Sequence, residues 1–304
     1  MNNIDNEESQ LIEQPNEIEY TFFSCFCIKS VLKYYLLLIF SMLLSIILAL
    51  YSNGIVFVIL SAIIPGSLII EFARNFYDNY VTRCQMTVTF IETILYLNIL
   101  SIFTGLLSKL LIISNKKIYD IFITAFILAG FMEELTKILP LIRIINNKYI
   151  TNPRALWVYG VCVGAGFACF ENIFYVIQGG LATAIVRSVL SVPLHCCTGL
   201  LMGMKMSIYK FRDKLSTNGW SKFKYFKALF LPILIHSSFD FVLMIGEVID
   251  SSIYIFFSIM ILFVTYLYLR FLLIKLEKEF ENTENIHVMI KENRIIPPCE
   301  WFIH

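Results

Sequence analysis

Charge is what this sequence has least of: 15% of its 304 residues are Asp, Glu, Lys or Arg, against about 25% in an ordinary soluble protein. Neither sign dominates, since 24 Lys and Arg stand against 23 Asp and Glu. That balance removes the electrostatic footprint expected of a nucleic-acid reader or of a protein for acidic substrates. The complement of scarce charge is an apolar fraction of 58%, more than one soluble core absorbs. A secreted domain and a soluble enzyme are excluded on that ground. Other absences narrow the organisation. The chain has no internal repeat, no inverted symmetry and no low-complexity tract beyond one acidic stretch at its start. The first 28 residues hold six acids and no Lys or Arg before Lys29, so they lack the basic start and apolar stretch of a signal peptide.

What is present is a series of apolar runs of helix-spanning length, about 20 residues each. They fall at 34–51, 54–72, 88–107, 119–144, 155–178, 181–204, 226–247 and 251–274. The series predicts an all-α, polytopic transmembrane helix bundle of about eight spans in the lipid bilayer, with nothing in the sequence to name the membrane. Residues 1–30 are expected as an acidic, disordered cytosolic tail, 31–276 as the bundle and 277–304 as a cytosolic C-terminal tail. With the N-terminus in the cytosol, 19 of the 24 Lys and Arg lie on that side, seven of them within 205–227. The positive-inside rule then expects both termini cytosolic. Brief interruptions at Ser52–Asn53 and Gly179–Gly180 predict antiparallel hairpins. Eight cysteines are best read as free thiols, since Cys162, Cys169, Cys196 and Cys197 lie inside spans and the others mostly on the cytosolic side.

The charges that remain inside the membrane carry the functional argument, because each costs about 2.5–3.5 kcal/mol at a helix centre on insertion scales. In the fourth span Lys137 follows Glu133 by four residues and Glu134 by three, so it can pair with either on a helix. One acid would then be neutralised and the other left available. The fifth span places Gly160, Gly164, Phe167, Ala168, Glu171 and Tyr175 on one stripe, with Asn172 alongside. Small residues at that spacing admit another helix, so Glu171 faces protein rather than lipid. The sixth span repeats Arg187, Ser191, His195, Gly199 and Gly203 every four residues. A Cys–His nucleophile from His195 and Cys196 is disfavoured, because adjacent residues point to different helix faces. In the seventh span His236 and Asp240 stand one turn apart, below Pro232. Such a pair can orient one another, bind a metal or present donors to an oxyanion.

Depth connects these groups. At about 1.5 Å per residue, Glu133, Glu134 and His195 lie about 20 Å from the outer ends of their spans, Glu171 about 10 Å, and His236 with Asp240 about 10–17 Å. Six formal charges left unpaired in that slab would cost on the order of 15–20 kcal/mol. A shared hydrated cavity accounts for them.

Glu133-Glu134-x-x-Lys137, Phe167-x-x-x-Glu171-Asn172-x-x-Tyr175 and His236-x-x-x-Asp240 together resemble the PrsW family of membrane proteases. That family is related to the CAAX prenyl endopeptidases and CPBP membrane peptidases, the glutamic-type intramembrane peptidases. The resemblance covers about 119–247, which it marks as the catalytic core. It implies hydrolysis of a peptide bond in a membrane-associated protein. Glu133 or Glu134 with Glu171 would activate a water, and His236 and Asp240 would stabilise the oxyanion. Lys137, Phe167, Asn172, Tyr175, Arg187 and His195 would support the site or bind substrate. The prenyl endopeptidases carry His where Glu171 stands and Asn where Asp240 stands, which weighs against a prenylated substrate. No cofactor is expected. The alternative is a zinc-dependent membrane metallopeptidase on Glu171, His195 and His236 with one of the paired glutamates, although no His-Glu-x-x-His helix is present. From other classes, a proton- or ion-coupled transporter would use the same residue types, and a non-catalytic scaffold would use the glycine stripe. Convergence of the acids and His236 on one cavity separates the peptidase from these.

Overall fold

The computed structural model describes residues 55–112, 117–147, 149–212 and 223–287. The acidic tail, the run at 34–51 and its hairpin at Ser52–Asn53 lie outside the described residues. Every described element is helical. The order is α1 (Ile55–Phe76), a short 3-10 turn, α2 (Arg83–Leu111), α3 (Lys117–Phe122), a π-helical stretch (Ile123–Phe131), α4 (Met132–Asn146), α5 (Pro153–Val189), α6 (Ser191–Ser207) with a final π turn, α7 (Lys224–Ile249) and α8 (Ile253–His287). Five helical stretches are long and apolar enough to cross a bilayer: Arg83–Leu111, Pro153–Gly180, Val186–Phe211, Tyr225–Ile249 and Ile253–Phe280. The run expected at 119–144 is helical throughout, but its first part changes to i→i+5 pairing, so no single regular helix covers it.

Local chemistry explains the boundaries. Asn152 caps α5 by accepting from the backbone N–H of Arg154 (2.9 Å), with Pro153 at the first helical position. Thr82 accepts from the N–H of Gln85 to start α2. Gly180 takes φ 69° and ψ −159°, a conformation open essentially to glycine alone, and there α5 reverses direction. The expected hairpin at Gly179–Gly180 is thus present. Asp250, at φ 53°, ends α7 in the left-handed region that Asp tolerates.

The two helical arms of that hairpin form the centre of the bundle. A Cβ on Gly160 would lie 2.3 Å from the carbonyl oxygen of Gly199, and one on Gly164 would lie 2.1 Å from that of His195. The backbones therefore touch, which only a glycine stripe on both helices permits. Apolar clusters flank this crossing. Ile138, Leu141 and Ile144 of α4 pack with Leu156 and Tyr159 of α5 and Met202 of α6, while Trp157 and Met204 pack with Leu272, Leu276 and Phe280 of α8. The outer surface exposes Ile99 and Ile102 of α2 and Phe256 and Phe271 of α8, as a lipid-facing surface requires.

Helix α8 runs on past residue 276, where the C-terminal tail was expected to begin. Glu277 accepts from Arg154 Nε (2.8 Å) and from the Tyr77 hydroxyl (2.7 Å), and these bonds hold the next turn against the bundle. Cys162, Cys169, Cys196 and Cys197 are free thiols. Cys84, by contrast, is disulfide-bonded, so the expectation of free thiols outside the spans fails at that position.

Candidate active site

Four elements bring the intramembrane ionisable residues together. The glycine crossing sets α5 against α6, which places Glu171 beside His195. On the other side Gly130 sits so close to Ser237 that a Cβ would lie 1.8 Å from its Oγ. That contact draws the start of α4 onto α7 and puts Glu133 and Glu134 beside His236.

Glu134 is the hub of the buried half. It is fully buried, and its Oε1 accepts from Lys137 Nζ (2.5 Å), His236 Nδ1 (2.7 Å) and Thr198 Oγ1 (3.3 Å). Lys137, also fully buried, donates in addition to Nδ1 of His195 (2.8 Å) and lies 4.5 Å from the centroid of the Phe167 ring. Phe167 in turn packs on the His195 ring at 5.2 Å. Of the two neighbouring acids, Glu134 is the one consumed by the lysine.

The other half faces a cavity. Glu171 Oε2 lies 2.8 Å from His195 Nε2 and 2.9 Å from a terminal nitrogen of Arg187. Arg187 also donates to Asn172 Oδ1 (2.7 Å) and lies over the Tyr175 ring at 3.8 Å. His236 Nε2 is 3.2 Å from Asp240 Oδ2 and 3.7 Å from Glu133 Oε2. The two imidazoles meet nearly perpendicular, centroids 4.9 Å apart. Glu133 makes no hydrogen bond through Oε2 among the described residues and lines a chamber with Glu171 and Asp240.

All eleven residues singled out from the sequence thus fall in one connected group. Thr198 belongs to it and was missed; its signal was the i+3 spacing from His195 on the same face of α6. Glu92 was missed as well, an acid within α2, the first of the five stretches long and apolar enough to cross a bilayer. It lies away from the site, accepting from Arg143 Nε at 2.7 Å.

The tautomers follow from the partners. An ammonium has donors and no acceptor, so Nδ1 of His195 accepts from Lys137 and its proton resides on Nε2, the nitrogen that lies 2.8 Å from Glu171 Oε2. His236 donates from Nδ1 to the Glu134 carboxylate, leaving Nε2 turned toward Asp240 and Glu133. These bonds bear on a metal. Glu133, His195 and His236 each bring one ligand-type atom within 4.8 Å of the others, in a set where Glu133 stands in place of Glu171. A histidine ligand presents a lone pair to the metal and a proton on its other nitrogen. His236 meets that requirement and His195 has the opposite arrangement, so the donor set as built does not fit a zinc centre.

The fold and the site define a helical integral membrane protein with a buried carboxylate–histidine cluster between its helices. A family model described as "PrsW family intramembrane metalloprotease" matches residues 82–268, more than half of the sequence, and the chain belongs to that family. Curated relatives named "Protease PrsW" include those of Clostridioides difficile (strain 630), 35% identical over 154 residues that make up 48% of this chain and 63% of the relative. That of Bacillus subtilis (strain 168) is 32% identical over 123 residues, 40% of this chain and 55% of the relative. The protein of Halalkalibacterium halodurans is 35% identical over 122 residues, 40% and 54% of the two chains. The chain thus spans between 54% and 63% of the length of these relatives. No solved structure matches it.

Proposed function

We propose that this protein is an intramembrane peptidase that hydrolyses a peptide bond of a membrane-associated protein by a glutamate-activated water. The observation that carries the proposal is that Glu171 and Asp240 line two adjoining chambers, with Glu133 in one and His236 in the other, so that three helices supply the four residues. Glu133 is the base, because Glu134 is held by Lys137 and His236 while Glu133 faces the chamber. Water held between Glu133 and Glu171 attacks the carbonyl carbon as Glu133 takes its proton. In its imidazolium form His236 keeps Nδ1 on Glu134 and donates from Nε2 to the carbonyl oxygen, stabilising the tetrahedral oxyanion, while Asp240, 3.2 Å away, offsets the charge on the ring. The C–N bond then breaks as the proton passes to the departing amine, leaving a carboxylate on the other product.

The low-dielectric surroundings strengthen each of these interactions relative to water. Lys137, Phe167, Asn172, Tyr175, Arg187 and His195 hold the acids in place. The catalytic core is the 119–247 region, within eight spans with both termini cytosolic, a topology supported by the distribution of Lys and Arg. Reporter fusions in the segments around 112–117 and 213–222 test the topology, the first expected outside and the second inside.

The test of activity compares purified wild-type protein in nanodiscs with Glu133→Gln and Glu171→Gln, using membrane proteins extracted from cells that lack the chain. Fragments produced by the wild type and absent with either variant support the proposal. Cleavage unchanged in both variants overturns it. A zinc peptidase is the second reading, favoured by the proximity of Glu133, His195 and His236 and by the wording of the family description. It requires Lys137 to release His195, and stoichiometric zinc in the active protein would decide for it.

A further inference from the structure

Another cavity, of about 270 Å³, lies between α1 and α2 and shares no residue with the chambers of Glu133 and Glu171. Ser67, Ile70, Glu71 and Arg74 of α1 form one wall, and Arg83, Met86, Thr87, Phe90 and Ile91 of α2 form the other. Each set recurs at three and four residues, so each is one face of its helix. Both helices seat on α5: a Cβ on Gly66 would lie 2.5 Å from Cys169 Sγ, and one on Gly166 would lie 3.1 Å from the Phe90 carbonyl oxygen. The result is a cleft whose charged groups stand beside the turn that joins α1 to α2, with Phe90 and Ile91 about 10–12 Å from Arg83 along α2. Of the two hydroxyls on its walls, Ser67 donates within its own helix, to the carbonyl of Ile63 (3.1 Å).

The charges in the cleft do not cancel. Arg74 lies against Glu71, Nε to Oε2 at 3.0 Å and a terminal nitrogen to Oε1 at 2.5 Å, so one guanidinium neutralises the acid. Arg83 is the surplus. Its side chain is 77% exposed, comes no nearer to Glu71 Oε1 than 3.7 Å, and makes no hydrogen bond among the described residues. The apolar run at 34–51 supplies no counter-ion, since no Asp or Glu stands between Glu19 and Glu71. This end of the bundle also carries Arg143 in the last turn of α4 and Arg154 over the Tyr80 ring at 5.6 Å, and the positive-inside rule expects it at the cytosolic surface.

We infer that the cleft between α1 and α2 binds an anionic phospholipid, its phosphate on Arg83 at the mouth and an acyl chain laid along Ile70, Met86, Phe90 and Ile91. The planar guanidinium matches a phosphate through two parallel bonds, and basic pockets between membrane helices take such head groups. The single net positive charge selects a head group with a single negative one, of the phosphatidylglycerol type. A zwitterionic lipid would need an acid for its ammonium, and Glu71 is occupied by Arg74. A helix about 10–12 Å across does not fit the cavity, whereas one acyl chain does, and Leu68 and Phe72, exposed on α1, put the opening at the lipid surface. Free phosphate would use Arg83 and gain nothing from the apolar wall. The site stands whether or not the protein is a peptidase.

Native mass spectrometry of the purified full chain, released from micelles containing phosphatidylglycerol or phosphatidylcholine at equal concentration, tests the site. The expected result is one phosphatidylglycerol retained per chain, favoured about 5–10-fold over phosphatidylcholine, the effect of a single guanidinium on an anionic head group. Arg83→Gln should remove that preference, and Arg270→Gln, which takes the same charge from the exposed face of α8, should leave it intact. A phosphatidylglycerol with a photoreactive acyl chain should label the 67–74 and 83–91 segments, and Thr87→Trp, which fills the cleft, should prevent the labelling. Equal loss of preference in the two arginine variants means diffuse attraction to the surface and overturns the inference, as does labelling elsewhere on the bundle. Displacement of the lipid by inorganic phosphate or by an acidic peptide as readily as by added phosphatidylglycerol also overturns it, because the occupant would then not be a lipid.

Discussion

Nζ of Lys137 lies 2.8 Å from Nδ1 of His195, with both residues buried. The same ammonium is 2.5 Å from Oε1 of Glu134, which in turn holds His236. One lysine therefore sets the hydrogen positions on both histidines, directly for His195 and through Glu134 for His236. Removing it by Lys137→Met should lower turnover about 10–100-fold, the range for partners that orient a site's ligands. Lys137→Arg should not restore the rate, because a planar guanidinium needs more room than a point charge. Nitrogen-15 NMR of labelled histidine should show the His195 proton moving from Nε2 in Lys137→Met; an unmoved proton would sink this account.

The neighbouring acids should respond differently. Glu133→Gln should cost turnover about 10²–10⁴-fold, the contribution of a positioned general base, and leave the unfolding temperature near that of the wild type. Glu134→Ala leaves Lys137 as an uncompensated buried charge, a loss of about 3–5 kcal/mol. Thermal unfolding beside turnover separates the two, and equal destabilisation by both would contradict the assignment.

Arg187 holds Glu171 while stacking on Tyr175. Arg187→Lys keeps the charge but loses the stack and the bond to Asn172, so it should behave more like Arg187→Ala than like the wild type. Kinetics of the two variants against one peptide provide the comparison.

The hydrogen bonds of His195 make a prediction about metals. Activity should persist after dialysis against EDTA or 1,10-phenanthroline, and elemental analysis of the active protein should find less than one zinc per chain. Loss of activity on chelation, restored by zinc, would reverse the assignment of bases.

Packing at the central crossing can be tested with two glycines. Gly160→Leu drives a side chain into the Gly199 carbonyl and should destabilise the bundle by at least about 1–3 kcal/mol, the usual cost of overpacking. A Cβ on Gly105 meets nothing within 4 Å, so Gly105→Ala should be neutral or slightly stabilising. Unfolding in detergent distinguishes them.

Much of this arrangement was legible in advance for reasons particular to membranes. Glu171 could be assigned to a protein-facing surface because the glycines on its stripe have no other use at a lipid-facing position. The hairpin at Gly179–Gly180 was legible because two glycines interrupt an otherwise continuous apolar run. Thr198 was not, since a threonine inside a helix is inconspicuous until a partner 64 residues away, Glu134, comes into bonding range. The partners of Glu277 were not legible for a related reason, since Arg154 and Tyr77, which hold it, are distant in sequence. The change to π pairing at Ile123–Phe131 leaves no mark in an apolar run.

The sequence by itself determined which residues are too costly to leave unpaired in a hydrocarbon phase, and hence which ionisable side chains must find partners there, because that cost belongs to each side chain and its span. Tertiary structure decided the division of labour. Glu133 and Glu134 are consecutive and chemically identical, but on a helix they point about 100° apart, so the helices packed on either side determine their neighbours. The approach of Gly130 to Ser237 and of Gly164 to His195 turns Glu134 toward Lys137 and His236 and leaves Glu133 at the cavity. No property of the two residues alone distinguishes them.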